Sequence, residues 1–358
     1  SKYLNNIRTA DTYLDLKEGV YNSLHGKSKY GDMVVSKIRR AKSSFKQLVV
    51  PGMFFEDMGI TYLGPVDGHD MRALVHIFGE ARKIKGAVLV HVITQKGKGY
   101  QPAEKHPARF HGAEPFDIET GIPSKPRTKA NYTDIFSTVM CKLGQRDEKV
   151  VAITAAMPLG TGTDAFAAAY PDRFFDVGIA EEHAVTLAAG MARGGLRPFF
   201  FVYSTFLQRG YDQVLHDVCI QNLPVVLMLD RAGISNEDGQ SHQGLYDFAY
   251  LRHIPNMTVL APADADELER MIHAALLLGR PCSIRYPKNA EILPDGYATA
   301  DFAIGRWQRM REGTDGIILS TGTRTAAALR VADSMDEINL QVVNASSIKP
   351  LDEDCLKR

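Results

Sequence analysis

The sequence predicts an α/β protein built from doubly wound parallel sheets, and three observations predict this class. Apolar runs of strand length, KVVAIT, RPFFFVY and PVVLMLD, are too continuous for strands with one solvated face. Strands buried on both faces, as in parallel sheets, have this pattern. Segments of helical length separate the runs. The alternation is regular from residue 131 to residue 287, which favours one sheet with helices on both sides.

The first segment, residues 1–120, is interpreted as half of an α/β layer. It opens with charged sequence that predicts helix, then turns at GPVDGHD, residues 64–70, into a helix and the strand AVLVHVIT at 87–94. The sequence TGIPSKPRTK follows, and its Pro, Gly and basic residues interrupt helices and sheets. We therefore expect a linker at 121–130.

The second segment, residues 131–290, carries the main sheet. A helix capped by an Asn or Thr near 131–133 precedes KVVAIT, and further helices are expected at 182–193, 204–220 and 264–279. The strands RPFFFVY, PVVLMLD, TVLAP and PCSIRYP lie between and after them.

A second linker, 291–300, precedes a third segment at 301–358. Its order of GIILST, an Ala-rich helix and LQVVNA predicts the opening βαβ unit of another α/β domain, which we expect to be truncated.

Charge and composition narrow the function classes. The 42 basic residues balance the 42 acidic ones, so no global field favours nucleic acid or a membrane surface. No apolar run approaches the roughly 20 residues of a membrane span, and the amino end has no signal-peptide apolar region. The four cysteines have neither metal-type pairing nor a disulfide-rich spacing. We expect a cytoplasmic protein whose local arginines hold any anionic ligand.

The stretch GIAEEHAVTLAAGMA, residues 178–192, places Glu181 and Glu182 between a strand end and a helix of small residues. Ligands of parallel sheets bind at the carboxyl ends of the strands. A carboxylate there can orient a heterocyclic base, or it can merely stabilise the positive end of the helix. Spacing alone leaves both interpretations open.

The next strand end, YSTFLQRGYDQVLHD, begins with Tyr203, Phe206 and Arg209. Phe206 could stack on a planar ring, and the Tyr203 hydroxyl and Arg209 guanidinium suit a carboxylate or phosphate. The alternative is that Phe206 belongs to the core and Arg209 lies along the surface.

The following strand ends add more polar groups. The long loop DRAGISNEDGQSHQG supplies Arg231, Asp238 and His242, and SIRYP supplies Arg285. A metal site at Asp238 and His242 is disfavoured because further ligands are not close in sequence. Four strand ends with such residues indicate one convergent polar pocket.

Two glycine-containing segments are less specific. GTGTDA, residues 160–165, matches a dinucleotide fingerprint, but AAMPL separates it from the preceding strand and disfavours the tight turn that the fingerprint needs. KGKGY at 96–100 and ARFHG at 108–112 form a basic loop that suits phosphate, or is simply solvated.

Several long strings together resemble one family. They are VPGMFFEDMGITYLGPVDGHD, HVITQKGKGYQPAEKHPARFHG, DVGIAEEHAVT, YSTFLQRGYDQVLHD, and DRAG followed by DGQSHQG. They are similar to the 1-deoxy-D-xylulose-5-phosphate synthase family, within the wider transketolase group, and they are collinear over nearly the whole chain. The resemblance implies a transketolase-like thiamine-diphosphate-binding fold.

The resemblance also implies roles for individual residues. The aminopyrimidine-binding glutamate falls on Glu181, because the family pattern has one residue between this glutamate and the histidine, here His183. The other cofactor contacts fall on Tyr100 and the ring-stacking Phe206. The catalytic groups are expected to be Glu181, His111, His242 and Arg209. The substrate pocket is expected to comprise Tyr203, Arg209, Arg231, Asp238, His242 and Arg285, with Arg231 and Arg285 facing a sugar phosphate.

The activity implied by the resemblance joins pyruvate to D-glyceraldehyde 3-phosphate with loss of CO2 and gives 1-deoxy-D-xylulose 5-phosphate. In the family this product leads to isoprenoids, thiamine and pyridoxal. Thiamine diphosphate and Mg²⁺ are the implied cofactors, and a homodimer is the implied assembly. The family's GDG motif and downstream asparagine, which bind Mg²⁺ and the diphosphate, are not in this sequence. We expect them in an N-terminal part of the same enzyme, with a separate N-terminal fragment as one form of that partner.

Two alternatives remain at this stage. One is a pyrimidine-binding subunit of a split transketolase-like or pyruvate-dehydrogenase-type enzyme. The other is a non-catalytic module that binds a sugar phosphate. The DGQSHQG and FLQRGYDQ strings favour the synthase.

Overall fold

The computed structural model describes residues 53–113, 115–124, 131–234, 239–300 and 302–357. It divides the chain into two compact units, 1–126 and 127–358. The charged helical sequence expected at the start of the chain lies outside the described residues. Within the described residues, every helix is too short or too polar to cross a lipid bilayer.

The first unit contains a parallel pair of strands, β1 (Thr61–Asp67) and β2 (Val88–Ile93), joined by helix α2 (Met71–Ala81). Asp70 caps this helix, since its side chain accepts hydrogen bonds from the backbone of Arg72 and Ala73 at 3.0 Å each. In the sequence, helix α1 (Met53–Asp57) precedes β1 and helix α3 (Gln101–Lys105) follows β2. The predicted turn at 64–70 is wrong in its first half, because residues 64–67 continue β1 through an irregularity between Leu63 and Val66.

The second unit contains most of the helices and strands. Its strands are β3 (Val150–Thr154), β4 (Phe174–Asp176), β5 (Arg197–Tyr203), β6 (Val226–Asp230), β7 (Thr258–Leu260), β8 (Cys282–Arg285), β9 (Gln308–Arg311), β10 (Gly316–Ser320), β11 (Leu340–Asn344) and β12 (Ser347–Lys349). Its α-helices are α4 (Tyr132–Arg146), α5 (Asp164–Ala169), α6 (Glu181–Arg193), α7 (Ser204–Leu207), α8 (Tyr211–Gln213), α9 (Asp247–His253), α10 (Ala265–Leu278), α11 (Arg324–Asp333) and α12 (Glu353–Leu356).

A seven-stranded sheet in the order β12-β7-β8-β6-β5-β3-β4 organises this unit. All of its pairs are parallel except β12 with β7. Helices cover both faces. Alternate residues of β5 show this, because Phe199 and Phe201 pack in the cluster with α4 and α10, whereas Phe200 and Val202 pack in the cluster with α6 and α9. The predicted α/β class with a doubly wound sheet is therefore confirmed, with an antiparallel edge strand added.

The predicted βαβ unit near the carboxyl end is also present. Strands β10 and β11 pair in parallel across α11, and antiparallel β9 completes a three-stranded sheet. Strand β12 then leaves this small sheet and joins the edge of the large one.

Helix α4 begins where the sequence predicts. Asn131 accepts a hydrogen bond from the Asp134 backbone at 2.9 Å, and the Asp134 side chain accepts one from the Asn131 backbone at 3.0 Å, which is a complete capping box. The helix predicted at 204–220 differs, because it is divided into α7, a 3-10 turn at Gln208–Gly210, α8 and a π-helical turn at Val214–Cys219.

Candidate functional site

The candidate site lies at the carboxyl edge of the seven-stranded sheet. The chain passes from β3 to β4 in one direction and then returns across β3 to form β5. Loops that follow β3 and β5 therefore diverge, and such switch points are where open α/β sheets bind ligands. The ends of β5, β6 and β8 and the start of α6 lie along this edge.

Glu181 is the first residue of α6 and is only 3% exposed. Its Oε1 lies 3.7 Å from Nη1 of Arg209, whose side chain is 54% exposed. A carboxylate in the first turn of a helix is stabilised by the helix dipole, and this one also lies beside a cation. Glu182, the next residue, is exposed. The structure thus distinguishes the two glutamates that spacing alone does not.

An aromatic row extends from Tyr203. The rings of Tyr203 and Phe206 are stacked, with centroids 5.6 Å apart and planes 9° apart. The His242 ring meets the edge of Phe206 at 5.2 Å, and the Arg209 guanidinium lies 5.3 Å from the Phe206 centroid. Three predicted site residues, Tyr203, His242 and Arg209, therefore each contact Phe206.

Arg231 joins the row from the other side. Its guanidinium lies 4.4 Å from the Tyr203 ring, and its Nη1 donates to the Gly160 carbonyl at 3.0 Å. Nη1 also donates to Oδ2 of Asp230 at 2.5 Å. Asp230 is completely buried, and this burial raises the pKa of its carboxyl to about 6, although Arg231 and Thr133 act in the opposite direction.

Arg285, at the end of β8, is paired with a second buried carboxylate. Its Nε donates to Oδ2 of Asp247 at 2.6 Å, and its Nη2 approaches Oδ1 at 3.3 Å. Its guanidinium also lies 4.0 Å from the Phe248 ring. The two strand-end arginines are thus fixed in place by Asp230 and Asp247, and each forms a locally neutral pair.

The loop after β6 closes on itself at its base. Gly233 and Gly244 exchange backbone hydrogen bonds of 2.7 and 2.9 Å. In its described part before Gly244, the Ser241 hydroxyl is 2.9 Å from Nδ1 of His242, and Thr205 donates to the Ser241 carbonyl at 3.2 Å. Asp238 falls on residues outside those that the structure describes, so its role stays a prediction.

The glycine-containing segment 160–165 contributes backbone to this edge. Strand β3 ends at Thr154 and α5 begins only at Asp164, so the tight strand-to-helix turn of a dinucleotide fingerprint is not formed. A Cβ at Gly160 would lie 2.7 Å from the Tyr203 hydroxyl, so a larger residue there would require the Tyr203 side chain to shift. The segment therefore supports Tyr203 and Arg231.

Tyr100 and His111 belong to the first unit. The Tyr100 hydroxyl donates to the Ile118 carbonyl at 2.8 Å, and its ring packs against Phe110 and Phe116 with centroids 5.6 and 5.9 Å away. Nδ1 of His111 is 2.7 Å from Nζ of Lys96. The basic loop thus has a defined aromatic and cationic arrangement of its own.

Sequence reasoning missed Asp230 and Asp247. Asp230 carried a usable signal, since it is a carboxylate at the last position of the apolar strand PVVLMLD. Asp247 carried a weaker one, because it starts a short helix and pairs with Arg285, 38 residues later.

Three family models match successive parts of the chain. They are 1-deoxy-D-xylulose-5-phosphate synthase at residues 1–94, the transketolase pyrimidine binding domain at 128–291, and the transketolase C-terminal domain at 305–358. Among curated relatives, the 1-deoxy-D-xylulose-5-phosphate synthase of Pelotomaculum thermopropionicum is 49% identical over 100% of this chain and 56% of its own length. That of Clostridium botulinum is 47% identical over 99% of this chain and 57% of its own length. The chain thus spans just over half of these relatives.

Solved structures show the same fold. A split-gene transketolase, described as an inactive beta4 tetramer, is 32% identical with a TM-score of 0.57 and shares 63% of this chain and 75% of its own. The transketolase of Campylobacter jejuni is 17% identical with a TM-score of 0.58 and shares 86% of this chain and 60% of its own. The second likeness concerns the fold alone.

Proposed function

Because the chain belongs to the 1-deoxy-D-xylulose-5-phosphate synthase family of the transketolase group, we propose that it forms the pyrimidine-binding and acceptor-binding part of such a synthase. The reaction joins pyruvate to D-glyceraldehyde 3-phosphate, so that two three-carbon molecules give CO2 and the five-carbon 1-deoxy-D-xylulose 5-phosphate. The observation that carries the proposal is a connected set of side chains at one sheet edge. The buried Glu181 lies beside Arg209, Arg209 and Tyr203 both contact Phe206, and Arg231 lies over the Tyr203 ring.

The residues at this edge fit the pyrimidine ring of thiamine diphosphate. Glu181 offers a nearly buried carboxylate that can accept an N–H hydrogen bond from an aminopyrimidine, and Phe206 offers a flat ring for stacking. When bound, thiamine diphosphate supplies the carbon nucleophile and the electron sink for loss of CO2 from a 2-oxo acid. We assign its diphosphate and Mg²⁺ to a part of the enzyme beyond this chain, and Tyr100 to a further cofactor contact.

Glu181 then fixes the protonation pattern of the ring by accepting its hydrogen bond. Arg209, lying over Phe206, presents guanidinium donors to a carboxylate such as that of pyruvate. Since Nδ1 of His242 is next to the Ser241 hydroxyl, Nε2 is the nitrogen that we assign to proton transfer. His111 is proposed to move a proton as well.

Arg231 and Arg285 are proposed to hold the acceptor's phosphate. They follow two adjacent strands, because Leu229 of β6 pairs with Arg285 of β8. Each guanidinium uses part of its donor set on an aspartate, and a fork of five N–H groups can still present others to an anion. Tyr203 lies between Arg231 and Phe206 and completes the pocket, to which Asp238 is also assigned.

Complementation tests this proposal. The chain is mixed with the amino-terminal diphosphate-binding part of the Pelotomaculum relative, thiamine diphosphate and Mg²⁺, and 1-deoxy-D-xylulose 5-phosphate formation from pyruvate and D-glyceraldehyde 3-phosphate is measured. Glu181→Gln should lower the rate about 100-fold or more, the usual effect of losing a proton-transfer partner. The neighbouring, exposed Glu182→Gln is the matched control and should keep the rate. Equal rates for Glu181→Gln and the unchanged chain would reject the proposal.

A second candidate is a subunit of a split transketolase-type enzyme, which the likeness to the split-gene transketolase favours. The same mixture distinguishes the two, because a transketolase takes a ketose donor in place of pyruvate. Product from a ketose phosphate and none from pyruvate would support the second candidate.

We further propose a homodimer in the cytoplasm. The free thiols of Cys141, Cys219, Cys282 and Cys355 support a reducing compartment. Light scattering of the mixture measures the assembly directly.

A further inference from the structure

Asp230 has an unusual environment for a carboxylate. It is completely buried at the end of β6, and its described partners are the backbone N–H of Arg231 at 2.6 Å, Nη1 of Arg231 at 2.5 Å and the Thr133 hydroxyl at 3.4 Å. Two of these three donors belong to the next residue. Its main interaction is therefore with Arg231. Burying a carboxylate costs free energy unless the group is paired and hydrogen-bonded, as it is here.

The backbone of Arg231 is held in a conformation that residues other than glycine rarely adopt. Its φ is 55°, in the left-handed region. Such a conformation persists only where surrounding contacts determine it. Here Oδ1 of Asp230 accepts the Arg231 N–H, and Oδ2 accepts Nη1 of the same residue. One carboxylate therefore fixes both the backbone turn and the side chain.

The guanidinium of Arg231 is fixed from two further directions. Nη1 also donates to the Gly160 carbonyl at 3.0 Å, and the group lies 4.4 Å from the Tyr203 ring. An arginine side chain ordinarily has many rotamers, and ordering them on ligand binding weakens affinity. In this chain the ordering has already taken place in the folded protein.

We propose that Asp230 is a positioning residue that holds the Arg231 guanidinium in the orientation that binds a phosphate dianion, without touching the ligand itself. This inference rests on the proposed function, which assigns Arg231 to the acceptor's phosphate. It adds that the affinity for the phosphate depends on Asp230 through its hydrogen bonds to Arg231.

The test measures binding of glycerol 3-phosphate, an unreactive phosphate ester, to the chain by calorimetry, with glycerol as the uncharged comparison. Arg231→Ala should weaken binding, and Asp230→Asn should weaken it about tenfold, the coupling expected within one hydrogen-bonded charge pair. The double variant should bind no more weakly than Arg231→Ala, because Asp230 acts through Arg231. Asp266→Asn, an exposed carboxylate in the first turn of α10, is the control and should bind as the unchanged chain does.

The outcomes separate the two proposals. If Arg231→Ala weakens binding and Asp230→Asn does not, or if the two effects add in the double variant, the positioning role is rejected and the phosphate assignment stands. If Arg231→Ala binds as well as the unchanged chain, the phosphate assignment itself fails. A general structural role for Asp230 would lower stability without the non-additive binding.

A measurement on the unchanged chain covers the case in which Asp230→Asn does not fold. Nitrogen-detected NMR reports rotation of the arginine guanidinium, and the Arg231 signals are identified by their loss in Arg231→Lys. A guanidinium held by Asp230 and Gly160 should show separate Nη signals before ligand is added. A single averaged Nη signal would reject the positioning role.

Discussion

The buried Asp230 should make the stability of the protein depend on pH. Burial raises the pKa of its carboxyl to about 6, whereas its ordinary value is 3.8. A carboxyl with a raised pKa binds its proton more tightly in the folded state, so its contribution to stability is complete below pH 3.8 and is lost as the pH rises through about 6. The loss amounts to roughly 3 kcal/mol for a shift of this size. We therefore expect the stability of the unchanged chain relative to Asp230→Asn to fall between pH 4 and pH 7.

Urea unfolding of both proteins at several pH values checks this. The other carboxyl groups titrate identically in the two, so the difference between their unfolding free energies isolates Asp230. A difference that stays constant from pH 4 to pH 7 would contradict the prediction.

The positions of the candidate residues could be predicted, but their partners could not. Tyr203, Arg231 and Arg285 were expected along one edge because the carboxyl ends of parallel strands lie there. In the structure they lie at the carboxyl ends of β5, β6 and β8. The pairing of Arg231 with Asp230 depends on a left-handed backbone turn, and that of Arg285 with Asp247 depends on how a helix meets a strand 38 residues later. Neither is visible in a sequence pattern.

Among the elements, the long periodic segments were predictable, whereas the short strands β4 and β12 were not. Helices α4, α6 and α10 and the strands β3, β5 and β6 follow from periodicity. Strands β4 and β12 have only three residues each, and β12 is held by pairing with β7, which is remote in sequence. The segment after Tyr203 has helical periodicity throughout, but Gly210 lies where a Cβ would be 3.2 Å from Val185 of α6. The segment is divided into short helical turns around this close approach.

Gly244 lies in a tightly packed position at the base of the loop between β6 and α9. At Gly244 a Cβ would lie 2.4 Å from the Arg231 carbonyl oxygen and 2.8 Å from Cβ of Ser204. Gly244→Ala must therefore displace the base of the loop and, with it, His242. We expect a loss of about 1 to 3 kcal/mol in the free energy of unfolding, as for overpacking elsewhere, together with weaker binding of glycerol 3-phosphate.

Urea unfolding and calorimetry check both effects. Gly190→Ala, in helix α6, is the control, since its Cβ would meet nothing within 4 Å. That change should leave stability equal or raise it by up to about 1 kcal/mol, because alanine is the better helix former. A Gly244→Ala protein as stable as the unchanged chain would show that the loop base can move freely.

At the scale of the whole second unit, a buried polar network joins the small sheet to the large one. Glu267, at the start of α10, is nearly buried and accepts from the Ala263 backbone at 2.7 Å. Asn344, at the end of β11, donates to both of its carboxylate oxygens at 3.1 Å and accepts from the Thr325 hydroxyl at 3.2 Å. A fully satisfied network of this kind fixes one relative placement of the parts that it connects. Strand β12 adds a second connection by pairing with β7.

Asn344→Ala should therefore weaken the attachment of the small sheet. The change leaves Glu267 with fewer donors, and an unsatisfied buried group costs about 1 to 3 kcal/mol. Burial already raises the pKa of Glu267, and loss of the Asn344 donor raises it further, so the destabilisation should be larger at pH 7 than at pH 4, where the carboxyl takes up a proton. Hydrogen exchange of β10 and β11 measures the opening of the small sheet, with the exposed Asn339→Ala as the control. Exchange in Asn344→Ala that is no faster than in the control at pH 7 would show that β12 alone holds the small sheet in place.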